Sequence, residues 1–220
     1  MSIIQSMNNL EPKVLVLVDL QNDFLPGGAL AVPDGDQVIR IANRLVPHFD
    51  LVLATQDWHP ANHGSFAANH PGKKVGDVVN LNGVPQVLWP VHCVQDTRGA
   101  EFAPGLNTAG IHRVFRKGTD PGIDSYSTFF DNAHRKSTGL GEYLSQAGLR
   151  ELHIMGLATD YCVKFSVLDA RGMGFAVRVI IDACRGIDLK SGDIDAAIAD
   201  MTAAGATVES SAEIPMAKAH

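Results

Sequence analysis

The stretch Leu152-His153-Ile154-Met155-Gly156-Leu157-Ala158-Thr159-Asp160-Tyr161-Cys162-Val163 joins an apolar run to a polar turn and then to a helical pattern. The run predicts a buried strand, and the pattern after it predicts a helix. Thr159 is the expected cap of that helix, which places Cys162 in the first turn, where backbone N–H groups and the helix dipole favour a thiolate. The same N–H groups could hold an oxyanion. The alternative is that Cys162 is a small buried apolar residue.

The order of strand, turn and helix recurs along the whole chain. Apolar, β-branched runs occur at residues 14–18, 51–54, 113–115, 151–157 and 177–181. Helical spacing follows at residues 38–45, 163–170 and 193–203, and a last short strand is expected at residues 206–209. This alternation predicts an α/β fold with a central, mainly parallel sheet.

Length and composition limit the classes of protein to consider. A chain of 220 residues, 45% of them hydrophobic, can form one large domain, and we expect a single domain over residues 1–220. Its core is predicted at about residues 13–210, with a loop-rich insertion at about residues 57–110, and the tail after the core is expected to be loose. A formal charge of −6 gives no basic footprint for nucleic acid.

The compartment is predicted from three features of the sequence. The first nine residues lack the cationic and apolar regions of a secretory signal, and no run has transmembrane length, so neither secretion nor a membrane partner is expected. The chain has three cysteines without a CxxC pair, which argues against a disulfide framework. These features together predict a cytoplasmic protein.

Chemically active side chains follow four of the predicted strands. Asp19, Asp57 with His59, Lys117 and Cys162 each come at or just after a strand end. Because ligands bind outside the carboxyl ends of the strands in an open parallel sheet, we expect these groups to meet at one rim.

A metal site is predicted from the spacing of Asp57 and His59. In an extended segment these two side chains project to the same face and can converge on one ion. Carboxylate with imidazole suits one divalent ion, zinc before iron or manganese. His92 is the leading candidate for the third ligand, followed by His63 and then by His70.

Asp19, Lys117 and Cys162 could form the catalytic triad of a cysteine hydrolase. An ammonium lowers the pKa of a neighbouring thiol, and a carboxylate can accept the thiol proton and pass it to a leaving amine. Cys184 is the rival nucleophile because it lies beyond a predicted strand and beside Arg185, although burial is the simpler interpretation. Cys93 adjoins His92 and is either a packing residue or a further metal ligand.

Five motifs in order resemble the nicotinamidases, also called pyrazinamidases, of the isochorismatase-like hydrolase superfamily. They are Asp19-Leu20-Gln21-Asn22-Asp23-Phe24, residues 57–66, Trp89-Pro90-Val91-His92-Cys93-Val94, Phe115-Arg116-Lys117-Gly118 and residues 156–163. The resemblance spans about residues 14–186 and implies a three-layer α/β/α fold. It also implies hydrolysis of nicotinamide to nicotinic acid and ammonia, with pyrazinamide as a second substrate, in pyridine nucleotide salvage.

The resemblance assigns a role to particular residues of this sequence. It makes Cys162 the nucleophile, Asp19 the acid and base, and Lys117 the catalytic lysine. The other assignments are the metal ligands Asp57, His59 and His92, with His63 joining them in some members; the oxyanion-hole amides of Ala158 and Cys162, with a cis peptide before Ala158; and the ring-flanking aromatic residues Phe24 and Trp89. The resemblance to this family also suggests a homodimer.

Three other functions compete with this interpretation. The nearest is a related cysteine amidohydrolase acting on another small amide or carbamoyl compound, although relatives of that kind generally lack the metal set. The second is a hydrolase that activates water on the metal, with Cys162 merely buried. The third is a non-enzymatic metal-binding or ligand-binding module.

Overall fold

A six-stranded parallel sheet lies at the centre of the computed structural model, which describes residues 12–215. In chain order its strands are β1 (Val14–Val18), β2 (Leu51–Asp57), β5 (Arg113–Lys117), β6 (Glu151–Leu157), β7 (Ala176–Arg185) and β8 (Thr207–Glu209). They are arranged in the order β5-β2-β1-β6-β7-β8, with every neighbouring pair parallel. A separate antiparallel hairpin is made by β3 (Val78–Leu81) and β4 (Val84–Val87).

Helices flank the sheet and complete a three-layer α/β/α arrangement. They are α1 (Gln37–Leu45), α2 (Leu140–Gln146), α3 (Lys164–Gly172) and α4 (Asp193–Ala203). A π-helical turn (Thr159–Val163) leads into α3, and 3-10 turns lie at Asn22–Phe24, Val46–His48, Ala67–Asn69, Arg98–Ala100 and Thr108–Gly110. Helix α3 packs on β7 and on α4, and α1 packs on β7. The predicted α/β class and parallel sheet are therefore confirmed.

The core lies along β1 and β6 because both strands are covered on both faces. All five residues of β1 are fully buried, and six of the seven residues of β6 are buried. Continuous apolar strands of this kind are typical of parallel sheets between helix layers. Gly156 allows the two strands to approach closely, because a Cβ at this position would lie 2.2 Å from the carbonyl oxygen of Val18.

The predicted elements correspond to observed ones, with two omissions and several changed limits. The strand at residues 14–18, the strand at residues 151–157 and the helix at residues 193–203 have the predicted bounds, whereas β2, β5 and β7 extend further than predicted. The β3–β4 hairpin and α2 were not predicted. Each hairpin strand has four residues, β3 is partly exposed and β4 contains Pro85, so neither carries a strong strand signal.

Two expectations concern residues outside the described range. The first nine residues and the last five residues of the tail lie outside the described residues, whereas Ser211 and Ile214, nearer the start of the tail, are buried, so this part is not loose as expected. Within residues 12–215, no helix has both the length and the apolar composition needed to cross a membrane.

Candidate active site

The groups predicted at the strand ends do meet at one rim of the sheet. Strands β5, β2, β1 and β6 are consecutive neighbours, so their carboxyl ends lie side by side. Lys117 ends β5 and Asp57 ends β2, while Asp19 follows β1 directly and Cys162 lies in the π-helical turn after β6. All four side chains are buried.

Lys117 is the centre of this cluster. Its Nζ lies 2.8 Å from Asp19 Oδ2 and 3.4 Å from Cys162 Sγ, and it also pairs with Asp57 Oδ1. It donates a further hydrogen bond of 3.0 Å to the carbonyl oxygen of Ser125. Burial alone would lower the pKa of Lys117, but the two carboxylates raise it well above its usual value, so the side chain is an ammonium ion.

Asp19 is positioned by the neighbouring strand and is fully buried. Thr55 of β2 donates a hydrogen bond of 2.7 Å to Asp19 Oδ1, while Oδ2 faces Lys117. Burial raises the pKa of Asp19 in spite of the opposing effect of Lys117. A carboxyl group with a raised pKa is suited to accept and return a proton.

The state of Cys162 differs from the expectation of a resting thiolate. Burial raises the pKa of the Cys162 thiol well above its usual value, and this effect exceeds the opposing effect of the Lys117 ammonium. Thr159 is also not the helix cap. The Ala158 carbonyl accepts hydrogen bonds from the N–H groups of Tyr161 and Val163, so the helical turn begins one residue earlier than predicted.

Asp57, His59 and His92 are brought together as predicted for a metal site. Asp57 Oδ2 lies 3.5 Å from Nε2 of His59 and 3.8 Å from Nε2 of His92. The three groups could hold an ion, since their ligand atoms all lie within 4.8 Å of one another. The Nε2 atom of His59 is buried without a hydrogen-bond partner, which fits a nitrogen that awaits a metal ion.

The charges around Asp57 and His92 favour a metal-binding state, whereas at His59 burial lowers the pKa but the Asp57 carboxylate and other nearby acceptors raise it by more. Burial would raise the pKa of Asp57, but Lys117 and the two histidines lower it below its usual value, so its carboxylate is ionised. Burial also lowers the pKa of His92 to about 4, which leaves its imidazole neutral. Ionised carboxylate and neutral imidazole are the forms that bind metal ions.

The other histidine candidates lie in different positions. His63 is buried beside His59, with ring centroids 4.3 Å apart, and belongs to a second cluster with His59 and Asp124. His70 faces the carbonyl oxygen of Gly64, 2.7 Å from its Nε2, and belongs to none of the ligand clusters found within residues 12–215.

The two remaining cysteines are buried apart from these clusters. Cys184 lies within β7 and not beyond it, which corrects the predicted position, and its thiol donates to the carbonyl oxygen of Ile180 at 3.4 Å. Burial raises the pKa of Cys184 to about 12. Cys93 is fully buried and is outside every ligand cluster of the described residues, so packing is its observed role.

One pocket is lined both by the cysteine and by two residues of the metal triad. Its lining includes the predicted Phe24, Trp89 and Ala158 together with Asp57, His92 and Cys162. The Leu157–Ala158 peptide bond is cis, as the resemblance implied. Five further lining residues were missed in the sequence, namely Leu30, Asp124, Tyr126, Tyr161 and Ile187.

Two of the residues that the sequence analysis missed, Tyr126 and Tyr161, hold the pocket wall in place. The Tyr126 hydroxyl accepts hydrogen bonds from Trp89 Nε1 at 3.1 Å and from Gln86 Nε2 at 3.0 Å, so it fixes the pocket wall. Tyr161 packs edge to face on Trp89, with ring centroids 4.9 Å apart. Tyr161 could have been recognised in the sequence because it adjoins Cys162. For Tyr126 the only sequence feature is an aromatic residue in the segment after Lys117.

Gln21 is a missed residue that positions Asp57. Its Oε1 accepts the backbone N–H of Asp57 at 2.8 Å, and its Nε2 donates to the carbonyl oxygen of Asp57 at 2.8 Å. Gln21 lies two residues after Asp19, so one segment serves both carboxylates. Gln21 could have been identified from the sequence because it lies in the same motif as Asp19.

The chain belongs to the isochorismatase family, because the Isochorismatase domain matches residues 13–213. Nicotinamidase from Escherichia coli strain K12 is 51% identical over 203 residues, covering 90% of this chain and 95% of that protein. A solved nicotinamidase/pyrazinamidase from Acinetobacter baumannii is 45% identical with a TM-score of 0.90, covering 94% of this chain and all of that chain. Pyrazinamidase from Pyrococcus horikoshii, solved in complex with zinc, is 36% identical with a TM-score of 0.73, covering 90% of this chain and 99% of that chain.

Proposed function

We propose that this chain is a nicotinamidase that hydrolyses nicotinamide to nicotinic acid and ammonia, with pyrazinamide as a second substrate. The observation that carries the proposal is a pocket whose lining contains the Cys162 thiol together with Asp57 and His92 of the metal triad. A flat heteroaromatic amide bound there can contact the thiol and the metal site at once. The nicotinamidase relatives support the choice of ring.

The first half of the proposed reaction forms a thioester. As Cys162 Sγ attacks the amide carbon, its thiol proton passes to the Asp19 carboxylate, and the carbonyl oxygen becomes an oxyanion. The backbone N–H groups of Ala158 and Cys162 hold that oxyanion. Asp19 then gives the proton to the departing nitrogen as the carbon–nitrogen bond breaks, so ammonia leaves.

The second half hydrolyses the thioester. Asp19, again a carboxylate, takes a proton from a water molecule that attacks the thioester carbon. When the carbon–sulfur bond breaks, the proton returns to Cys162 and the acid product leaves. Lys117 remains an ammonium ion throughout, and its charge stabilises the transient thiolate and the carboxylate beside it.

Asp57, His59 and His92 would hold one divalent ion, and zinc is our proposal because the Pyrococcus horikoshii pyrazinamidase was solved with zinc. A bound ion would supply a Lewis-acid position for the ring nitrogen and so orient the ring. Phe24 and Trp89 line the same pocket and can flank the ring. The homodimer is a prediction that depends only on the resemblance to the family.

The covalent mechanism is tested with Cys162→Ala. The variant keeps the pocket but removes the nucleophile, so ammonia release from nicotinamide should fall by roughly 10⁴-fold or more. Cys184→Ala is the matched control, because that thiol is buried within β7, and it should retain turnover. Near-normal ammonia release by Cys162→Ala would contradict the mechanism.

A thiol-alkylating agent separates this mechanism from a reaction in which the metal activates water. We expect inactivation by a reagent small enough to enter the pocket, protection by nicotinamide and labelling of Cys162 in a peptide map. Testing pyrazinamide and simple carbamoyl amides in the same ammonia assay distinguishes the proposed substrate from those of related amidohydrolases.

Removal of the metal should act mainly on substrate binding. Dialysis against a chelator is expected to raise KM for nicotinamide, because the ring loses its orienting partner while Cys162 and Asp19 remain in place. Added zinc should restore KM. An unchanged KM in protein shown by elemental analysis to be metal-free would contradict the orienting role.

A further inference from the structure

Asp160 is a buried carboxyl group that the proposed reaction does not use. It lies two residues before Cys162, in the π-helical turn after β6, and belongs to none of the ligand clusters found within residues 12–215. Both of its oxygens accept backbone N–H groups from the β7–α4 loop (residues 186–192). Oδ1 accepts that of Ile187 at 2.9 Å, and Oδ2 accepts that of Asp188 at 2.8 Å. Asp160 therefore fastens this loop to the turn that carries the cysteine.

The β7–α4 loop is also fixed on the side of helix α4. Gly186 packs closely there, because a Cβ at this position would lie 2.4 Å from Ile194 Cγ1 and 3.0 Å from Asp160 Oδ1. The side chain of Asp188 accepts the backbone N–H of Asp193, the first residue of α4, at 2.9 Å. Contacts on both sides leave the loop little freedom to move relative to the cysteine turn.

Ile187 is the residue through which this loop reaches the proposed substrate pocket. It lines that pocket together with Cys162, and it packs against the hydrophobic core. A β-branched side chain has few accessible rotamers, so it forms a stiff wall. The backbone N–H of Ile187 is one of the two that Asp160 accepts, so Asp160 sets the position of this wall. Leu189 of the same loop is 55% exposed and does not line the pocket.

We propose that Ile187 is a specificity-determining residue, whose side chain limits the ring substituents that the pocket accepts, and that Asp160 is the positioning residue that holds it there. The inference rests on the proposed hydrolysis of nicotinamide and deepens it. The preferred substrates are then amides of unsubstituted six-membered heteroaromatic rings. A ring that carries a methyl group towards Ile187 meets a wall that cannot withdraw, and it is hydrolysed poorly.

Ring-methylated nicotinamides test the role of Ile187. The ammonia assay gives the ratio of kcat/KM for nicotinamide to kcat/KM for each methyl isomer. In Ile187→Ala this ratio should fall by about 10-fold or more for the isomer whose methyl group faces the wall, because one methyl group in an apolar pocket changes kcat/KM by about 10–200-fold. KM for nicotinamide itself should rise more than kcat falls, since an apolar contact to the ring is lost.

Leu189→Ala is the matched control for that experiment, because it shortens an apolar side chain of the same loop at an exposed position. It should keep every ratio of the unchanged chain. Ratios in Ile187→Ala that equal those of the unchanged chain for all methyl isomers would overturn the specificity role.

The positioning role is tested with Asp160→Ala, which removes both hydrogen bonds to the loop. This variant should show the same change of ratios as Ile187→Ala, and the double variant should change them little further, because both substitutions act on one wall. Asp160→Asn should lie between Asp160→Ala and the unchanged chain, since its side chain keeps one oxygen acceptor. If Asp160→Ala slowed all ring amides equally and left the ratios unchanged, Asp160 would be a purely structural residue.

Gly186→Ala reaches the same loop without altering the cysteine turn. Its methyl group would press against Ile194, so the loop must shift and the ratios should change in the direction seen for Ile187→Ala. This variant decides the positioning role if thermal unfolding shows that Asp160→Ala is not folded, and unchanged ratios in folded Gly186→Ala would then overturn it. An unchanged chain that releases no ammonia from nicotinamide would overturn the proposed function itself, whereas normal turnover with unaltered ratios in the loop variants would overturn this inference alone.

Discussion

At the scale of single residues, burial determines the protonation of the two groups that exchange a proton in the proposed reaction, Asp19 and Cys162. Asp19 and Cys162 are both nearly inaccessible, and burial raises the pKa of each. The thiol therefore keeps its proton until a substrate arrives, and the carboxyl group nearby is ready to take it. Such a resting state also protects Cys162 from reagents too large for the pocket.

Asp19→Asn tests the proton-transfer role. An amide has almost the same shape as the carboxyl group but cannot accept the thiol proton, so kcat should fall by about 10²–10⁴-fold. The product nicotinic acid should still bind, as measured by quenching of Trp89 fluorescence. Thr55→Val serves as a milder comparison, because it removes only the hydrogen bond to Asp19 Oδ1. A normal kcat in the Asp19→Asn variant would contradict the role.

Much of the site was predictable at this scale because the rule that gathers it is topological. Asp19, Asp57 and Lys117 lie at or directly after strand ends, and parallel strands deliver such positions to one rim wherever they occur in the chain. The hydrogen bond between Tyr126 and Gln86 was not predictable. Their partnership joins residues 40 positions apart, and no local pattern marks it. The raised pKa of Cys162 was also missed, because burial depends on the completed fold.

At the scale of elements, the turn after β5 serves the metal site. Gly118 follows Lys117 with a φ of +63°, and its carbonyl oxygen holds His59. A Cβ at Gly118 would lie 2.3 Å from Cε1 of His59. One strand end therefore supplies the catalytic lysine proposed here and the wall that orients a metal ligand.

Gly118→Ala should weaken zinc binding by about 10–100-fold, because the new methyl group displaces the His59 ring from its hydrogen bond. Titration of metal-free protein with zinc measures the effect. Gly139→Ala is the matched control, since Gly139 also has a positive φ of 88° but open space around it. That control should cost about 1–2 kcal/mol of stability and leave zinc affinity intact. Equal zinc affinity in the two variants would contradict this account.

The secondary-structure elements were predictable where the apolar runs are long. The prediction missed elements whose apolar runs are short. The apolar run of strand β6 and the helical pattern of α4 each extend over the whole element, and both elements were found with the predicted bounds. The β3–β4 hairpin has exposed Val78 and a proline in its second strand, so its sequence resembles a loop. The order of strands in the sheet is a tertiary property that the periodicity of single elements does not encode.

At the scale of the whole molecule, the stability of the fold responds to pH through the buried histidine His153. His153 of β6 packs edge to face on Phe49, with ring centroids 4.9 Å apart, and its Nε2 lies 3.6 Å from Glu209 Oε1. Burial lowers the pKa of His153 from 6.5 to about 4. The unfolded chain therefore binds a proton at a higher pH than the folded chain does.

Acidification should destabilise the protein through this residue. Well above pH 6.5 His153 is neutral in both states and contributes no pH dependence. Between pH 6.5 and 4 the unfolded state gains the proton first, so unfolding becomes easier by up to about 1.4 kcal/mol per pH unit. His153→Gln should flatten the curve of unfolding free energy, measured by urea denaturation, over that range. Parallel curves for the two proteins would contradict the assignment.

The shared carboxylate of Asp57 has a consequence for how such a protein can change over time. One oxygen pairs with Lys117 and the other faces His59 and His92, so a single side chain belongs to both sides of the pocket. A substitution that adapts the site to a different ion also removes a counter-charge from the lysine beside the cysteine. We therefore expect positions 57 and 117 to tolerate exchange together more readily than one at a time. Engineering a new ion preference while keeping the thiol chemistry should begin at His92, whose Nδ1 hydrogen bond stays within its own loop.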